Sequence, residues 1–75
     1  MSDRRITLRG PLGQSRQYTV YPQTTVTTLI HAALLDGLAD PGDRLDIVHD
    51  GQTLLDLERV VDGAVLDLIA TGSSV

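Results

Sequence analysis

The chain predicts an α+β fold of two layers, with one helix laid across a curved, mixed sheet of four to five strands. Three observations lead there. Short stretches of period-two alternation, at residues 5–9, 17–21, 45–48 and 65–70, give strands with one apolar face each. One stretch, residues 26–34, carries its apolar side chains at helical spacing instead. Neither kind of element buries its apolar face alone, so the helix must lie on the sheet.

Taken in order, Ile6 and Leu8 alternate with Arg5, Thr7 and Arg9, and Tyr18 and Val20 lie in the second alternating run. Gly10-Pro11-Leu12-Gly13 between the two runs supplies turn residues, so the chain opens with a hairpin. Pro22 closes the second strand, and the hydroxyl of Thr24 or Thr25 can accept the first free amide of a helix. Val26, Leu29, Ile30, Ala33 and Leu34 form one stripe, which Gly37 stops. Asp40-Pro41-Gly42-Asp43 is a loop, and Leu45 and Ile47 then alternate with Asp46 and Val48 in a third strand. Asp50-Gly51 is a strong hairpin signal and predicts a brief fourth strand through Thr53 and Leu54. Leu57, Val60 and Val61 fall in an irregular or short helical connection, and Asp62-Gly63 turns the chain into a last strand over residues 65–70. Ile6, Leu8, Val20, Leu45, Ile47, Leu66 and Leu68 then face the helix, and Arg9, Asp46, Val48, Asp67 and Ile69 share the opposite, wet face.

Composition narrows the function. With 75 residues there is room for one small domain, residues 1–70, followed by a flexible C-terminal tail at 71–75. A net charge of -4 with acidic residues spread along the chain disfavours nucleic acid and anionic membrane as partners. No stretch reaches the roughly 20 apolar residues of a spanning helix, and the N-terminal residues lead into a strand rather than a signal peptide, which predicts a cytoplasmic protein, monomeric on its own. Cysteine is absent, removing disulfides, thiolate nucleophiles and cysteine metal sites. His31 and His49 have no second ligand at metal spacing, the aspartates at 36, 40, 43 and 46 lack the alternation of a calcium loop, and Ser73 and Ser74 have no base near them in sequence. No catalysis by this chain, no metal and no cofactor are expected.

The order of element lengths resembles the ubiquitin-like β-grasp fold. Residues 6–34 follow the pattern of ubiquitin without a gap, and Asp36-Gly37-Leu38, the proline-containing loop and Arg44-Leu45 keep the same order. Residues 60–66, Val-Val-Asp-Gly-Ala-Val-Leu, are more similar to bacterial relatives, the YukD-like proteins and EccD-type domains associated with type VII secretion. The resemblance implies two surfaces. The apolar recognition patch of ubiquitin maps near Pro11 or Leu12, Asp46 and Ile69, and Asp46 places a charge in its middle, so ubiquitin's usual readers are not expected to bind. Arg9, Leu12, Asp46, Val48 and Ile69 are the candidate partner-binding residues.

The second surface is the tail. Ubiquitin-like modifiers thread a C-terminal glycine into an activating enzyme, where a Cβ obstructs. Thr71, Gly72, Ser73, Ser74 and Val75 reach roughly 17 Å when extended, enough for such entry, but the Gly-Gly ending is missing. A protease that trims to Gly72, an activating enzyme that accepts a small-residue end, and a terminus without a role all remain open. The leading expectation is a bacterial modifier whose tail is activated by an E1-like enzyme, with ATP used by that partner, and passed to an E2-like enzyme. The alternatives are a YukD-like interaction subunit that is never conjugated and a sulfur-carrier-type protein. The chain has no lysine, so no isopeptide chain can be built on a side chain; an arginine-for-lysine bias in composition explains the absence equally well.

Overall fold

The computed structural model describes residues 3–73. It shows β1 (Arg4–Arg9), β2 (Ser15–Val20), α1 (Val26–Leu35), β3 (Asp43–His49), β4 (Gln52–Thr53) and β5 (Val65–Ser73). The strands form one sheet in the order β2-β1-β5-β3-β4. The central pair, β1 with β5, is parallel, and the pairs β1-β2, β3-β4 and β3-β5 are antiparallel. This is the α+β two-layer arrangement expected from the sequence.

Local chemistry fixes each boundary. Gly13, with φ +88°, turns the first hairpin, and Gly10 N donates to Gln14 O at 2.7 Å. The pairing Leu8↔Arg16 and Arg9↔Ser15 carries β2 back to Ser15, earlier than the apolar alternation indicates, while Tyr21 N turns away to the Thr24 hydroxyl. Thr25 is the helix cap, accepting from Thr28 N at 3.1 Å. At the other end Leu38 N donates to Ala33 O and Gly37 N to Leu34 O, with Gly37 at φ +78°, which is a Schellman ending. Asp50 and Gly51 have φ of 53° and 78°, the sign pattern of a type I′ turn, and Val48↔Thr53 and His49↔Gln52 pair across it. The fourth strand is Gln52–Thr53, and Leu54 just past it still donates its amide to Ile47 O at 2.8 Å, the next position in the same register.

The core forms between sheet and helix. Ile6, Leu8, Val20, Ile47, Leu66 and Leu68 are buried from the sheet, and Leu29 and Ala33 from α1. Leu45 is only partly buried, because it sits beside the irregularity in β3-β5 pairing. Leu38, Ala39, Leu57 and Val60, outside any regular element, are as buried as the strand residues and seal the ends of the layer. Arg4 lies on the inward side of β1 with Ile6 and Leu8, and its guanidinium donates to the carbonyls of Leu57 at 2.6 Å and Val60 at 2.5 Å.

One boundary expected from the sequence is corrected. The last strand does not end at Ala70, and Thr71 to Ser73 are not a loose tail. They continue β5, with Gly72 opposite Arg44 and Ser73 opposite Asp43. The register skips a residue between Arg44 and Leu45, leaving Thr71 as the extra residue of a bulge. Ser74 and Val75, the rest of the expected tail, lie outside the described residues.

Candidate protein-interaction surface

The outer face of the sheet, opposite α1, collects the partner-binding candidates. Because successive strand residues point to alternate faces, Arg9 on β1, Asp46 and Val48 on β3, and Asp67 and Ile69 on β5 all point away from the core. Register then decides which of them meet. Arg9 lies opposite Asp67, and Asp67 opposite Val48, so these residues form one row across three strands. Two residues further along β5, Ile69 lies opposite Asp46 and begins the next row. Arg9, Asp46, Val48 and Ile69 are thus brought together. Leu12 sits on the first hairpin turn, 63% exposed, beyond the strand rows.

The charges on this face differ in their circumstances. Arg9 Nε donates to Asp67 Oδ1 at 2.8 Å, and with side chains 60% and 42% exposed this pair contributes roughly 0–1 kcal/mol. It fills the centre of the face with a neutral pair. Asp46 is half-buried, flanked by Val48 on its own strand and Ile69 across from it, and it makes no ion pair or side-chain hydrogen bond among the described residues. Covering a carboxylate with an apolar surface costs several kcal/mol, on the order of the loss of a buried ion-pair partner. Val65, 45% exposed and opposite Thr7, extends the apolar part of the face. It was not among the candidates, although it shares the parity of Asp67 and Ile69 along β5.

On the helix side, Tyr18 Oη donates to Asp36 Oδ2 at 2.8 Å, and Arg16 approaches the same oxygen at 3.6 Å. Burial, then the hydrogen bond to the Asp36 carboxylate and its charge, push the Tyr18 phenol up to about 12, with Arg16 opposing. This ties β2 to the end of α1. It offers no nucleophile or base to a substrate.

Among the described residues, the remaining polar groups lie apart from one another. An open groove of about 510 Å³ runs beside Arg4, Pro22 and Val61, but the Arg4 guanidinium is committed to backbone carbonyls. His31 is exposed on α1, and His49 faces Asp50 at 3.6 Å beside the I′ turn. Among the described residues no cluster of three or more His, Cys, Asp or Glu could hold a metal ion, and no helix is long and apolar enough to cross a membrane.

Comparison with known proteins gives the fold its class. No protein-family model matches the chain, and no curated protein matches it by sequence. Solved structures do. The ubiquitin-like domain of Plasmodium falciparum Dsk2 superposes with a TM-score of 0.74 at 19% identity, over 93% of this chain and 100% of that one. The C-terminal ubiquitin-like domain of human 2'-5'-oligoadenylate synthetase-like protein (p59 OASL) gives 0.74 at 20% identity, over 96% of this chain and 88% of that one. A computationally designed protein based on human erythrocytic ubiquitin gives 0.64 at 30% identity, covering 97% and 95%. The chain has the ubiquitin-like β-grasp fold.

Proposed function

We propose that this ubiquitin-like domain is a non-catalytic interaction module that binds partner proteins through the outer face of its sheet. The observation that supports the reading is the register: it sets Val48, Ile69 and Val65 in adjoining positions around the Arg9-Asp67 pair on the face away from the helix. A YukD-like subunit of a secretion apparatus is one setting for such a module, in the cytoplasm. Ile69→Glu and Val48→Glu each replace an apolar side chain of the face with a further carboxylate beside Asp46, which no cation on the face neutralises, without touching the core. Photo-crosslinking in cells from a probe at Thr7, on the outer face between the inward Ile6 and Leu8, should capture a partner with the parent protein and lose it with both variants. Equal capture by all three refutes the sheet-face reading.

The second reading keeps the bacterial modifier. It is favoured by one observation: Thr71, the bulge residue, and Gly72 beyond it are exposed at the end of β5, so drawing them off the sheet would uncover no core. Activation by an E1-like enzyme with ATP, transfer to an E2-like cysteine, and trimming by a protease where needed would then be the chemistry of those partners; sulfur transfer to an exposed terminal glycine is the related carrier role. Incubation with each candidate activating enzyme and ATP, read by intact mass, separates the readings, since the interaction module gives no adduct.

A further inference from the structure

We infer that the partner of the outer face carries a basic side chain, an arginine or lysine set among apolar residues, that pairs with Asp46. The inference rests on the sheet-face reading above and adds the chemistry of the partner. Three facts carry it. Asp46 is half-buried between Val48 and Ile69, in the part of the face that any apolar contact must cover. The other carboxylate of the face, Asp67, is already neutralised by Arg9 at 2.8 Å. Arg44, the next outward residue along β3, is exposed and forms no ion pair with Asp46 among the described residues.

A carboxylate without a cation cannot be covered by an apolar partner unless the partner brings the charge. A wholly apolar helix or strand laid on Val48 and Ile69 would strip water from Asp46 and give nothing back. An arginine suits the position, because its planar fork can hold both carboxylate oxygens while its stem lies along the flanking aliphatic side chains. Acidic partners are rejected by the same charge. The face therefore selects for a cation at one point and apolar groups around it.

The test is a selection on the intact domain with a phage-displayed library of random linear peptides, followed by amide chemical-shift mapping of the strongest binders. Enriched peptides should carry a basic residue between apolar ones and shift the amides of residues 46–48 and 67–69. Asp46→Asn should weaken them on the order of tenfold or more, and Asp46→Lys should redirect the selection to acidic peptides. Arg44→Ala should leave binding intact or tighten it. Binders that map to the outer face but lack a basic residue, or that ignore Asp46→Asn, or that are lost with Arg44→Ala, overturn the charge inference and leave the sheet-face reading standing. Binders that map elsewhere, or a selection that yields none on this face, overturn both.

Discussion

Arg4 Nη1 donates to the carbonyl of Val60 at 2.5 Å, and through that bond the first strand holds the connection that delivers the last. The same nitrogen reaches Leu57 O at 2.6 Å and Glu58 O at 3.3 Å, so one cation serves three carbonyls that no strand or helix satisfies. Leu57 and Val60, which flank the tie, are core residues.

Arg4→Met keeps the aliphatic stem and removes the donors. Hydrogen bonds from a charged group are worth about 1.5–3 kcal/mol net, so the variant should lose about 2 kcal/mol in urea unfolding, which in a domain of this size lowers Tm by roughly 10 °C. Arg5→Met, whose side chain lies on the outer face, should stay within about 0.5 kcal/mol of the parent. Equal losses for the two variants would show that the carbonyl tie contributes nothing.

How far this was legible in the sequence depends on parity and punctuation. Period-two alternation gave the inward set because Ile6, Leu8, Leu66 and Leu68 each stand between outward residues, and Asp50-Gly51 could be read as a hairpin because few other pairs tolerate positive φ at both turn positions. Arg4 shares the parity of Ile6 and Leu8, a signal that it points inward, yet a basic residue at a strand start reads as surface. Leu38, Leu57 and Val60 were not legible as core, since their burial comes from loops that fold over the layer and leave no period. The continuation of β5 is hidden for a related reason: Thr71 is the one strand-favouring residue in a stretch with Gly72 and Ser73 that lacks apolar alternation, and the stretch is held by backbone pairing with Asp43 and Arg44 and by the Thr71 hydroxyl, which donates to Arg44 O at 3.4 Å. The outer face was legible as a set; which charge on it is paired was not, because that depends on the parallel register of Arg9 with Asp67.

Stability should fall with rising alkalinity through Tyr18. Its folded-state phenol titrates at about 12 against an ordinary 10.0, so the native state holds the proton more tightly than the unfolded chain. The contribution is complete below pH 10 and is lost as pH rises toward 12. Urea midpoints should therefore drop between pH 9.5 and 11.5 in the parent and drop less in Tyr18→Phe, which also gives up the bond to Asp36. Parallel pH dependence in the two proteins would count against this role for Tyr18.

Gly10 is required for a steric reason that its sequence context hides. A Cβ there would stand 2.5 Å from Leu38 O and 3.2 Å from Leu38 Cβ, and that carbonyl belongs to the segment fixed by the helix's Schellman ending. The first hairpin turn thus packs directly on the end of α1. Gly10→Ala should cost about 1–3 kcal/mol, as overpacking does, whereas Gly72→Ala, with open space around its Cβ position, should be neutral within about 0.5 kcal/mol. Urea unfolding of the two variants checks the contrast, and an unperturbed Gly10→Ala would mean that the turn and the helix end are not held together.

The end of β5 carries the choice between binding and conjugation. A chain stopped after Ala70 loses the pairings of Gly72 with Arg44 and Ser73 with Asp43 but keeps Leu66 and Leu68, so it should remain folded. The lost backbone bonds are worth about 1 kcal/mol each, and the irregularity beside them argues for the lower end of that range. We expect the truncated domain to be about 1 kcal/mol less stable, with amide shifts confined to residues near 43–45. On the modifier reading, an activating enzyme would have to supply the same free energy to draw Thr71 and Gly72 into an extended path, a cost small enough for binding to offset yet large enough to keep the strand paired without such an enzyme. Truncation that leaves stability unchanged would show these residues unheld in solution and would favour the modifier; a loss of several kcal/mol would make the end of β5 part of the domain's frame and tell against any role that requires it to leave.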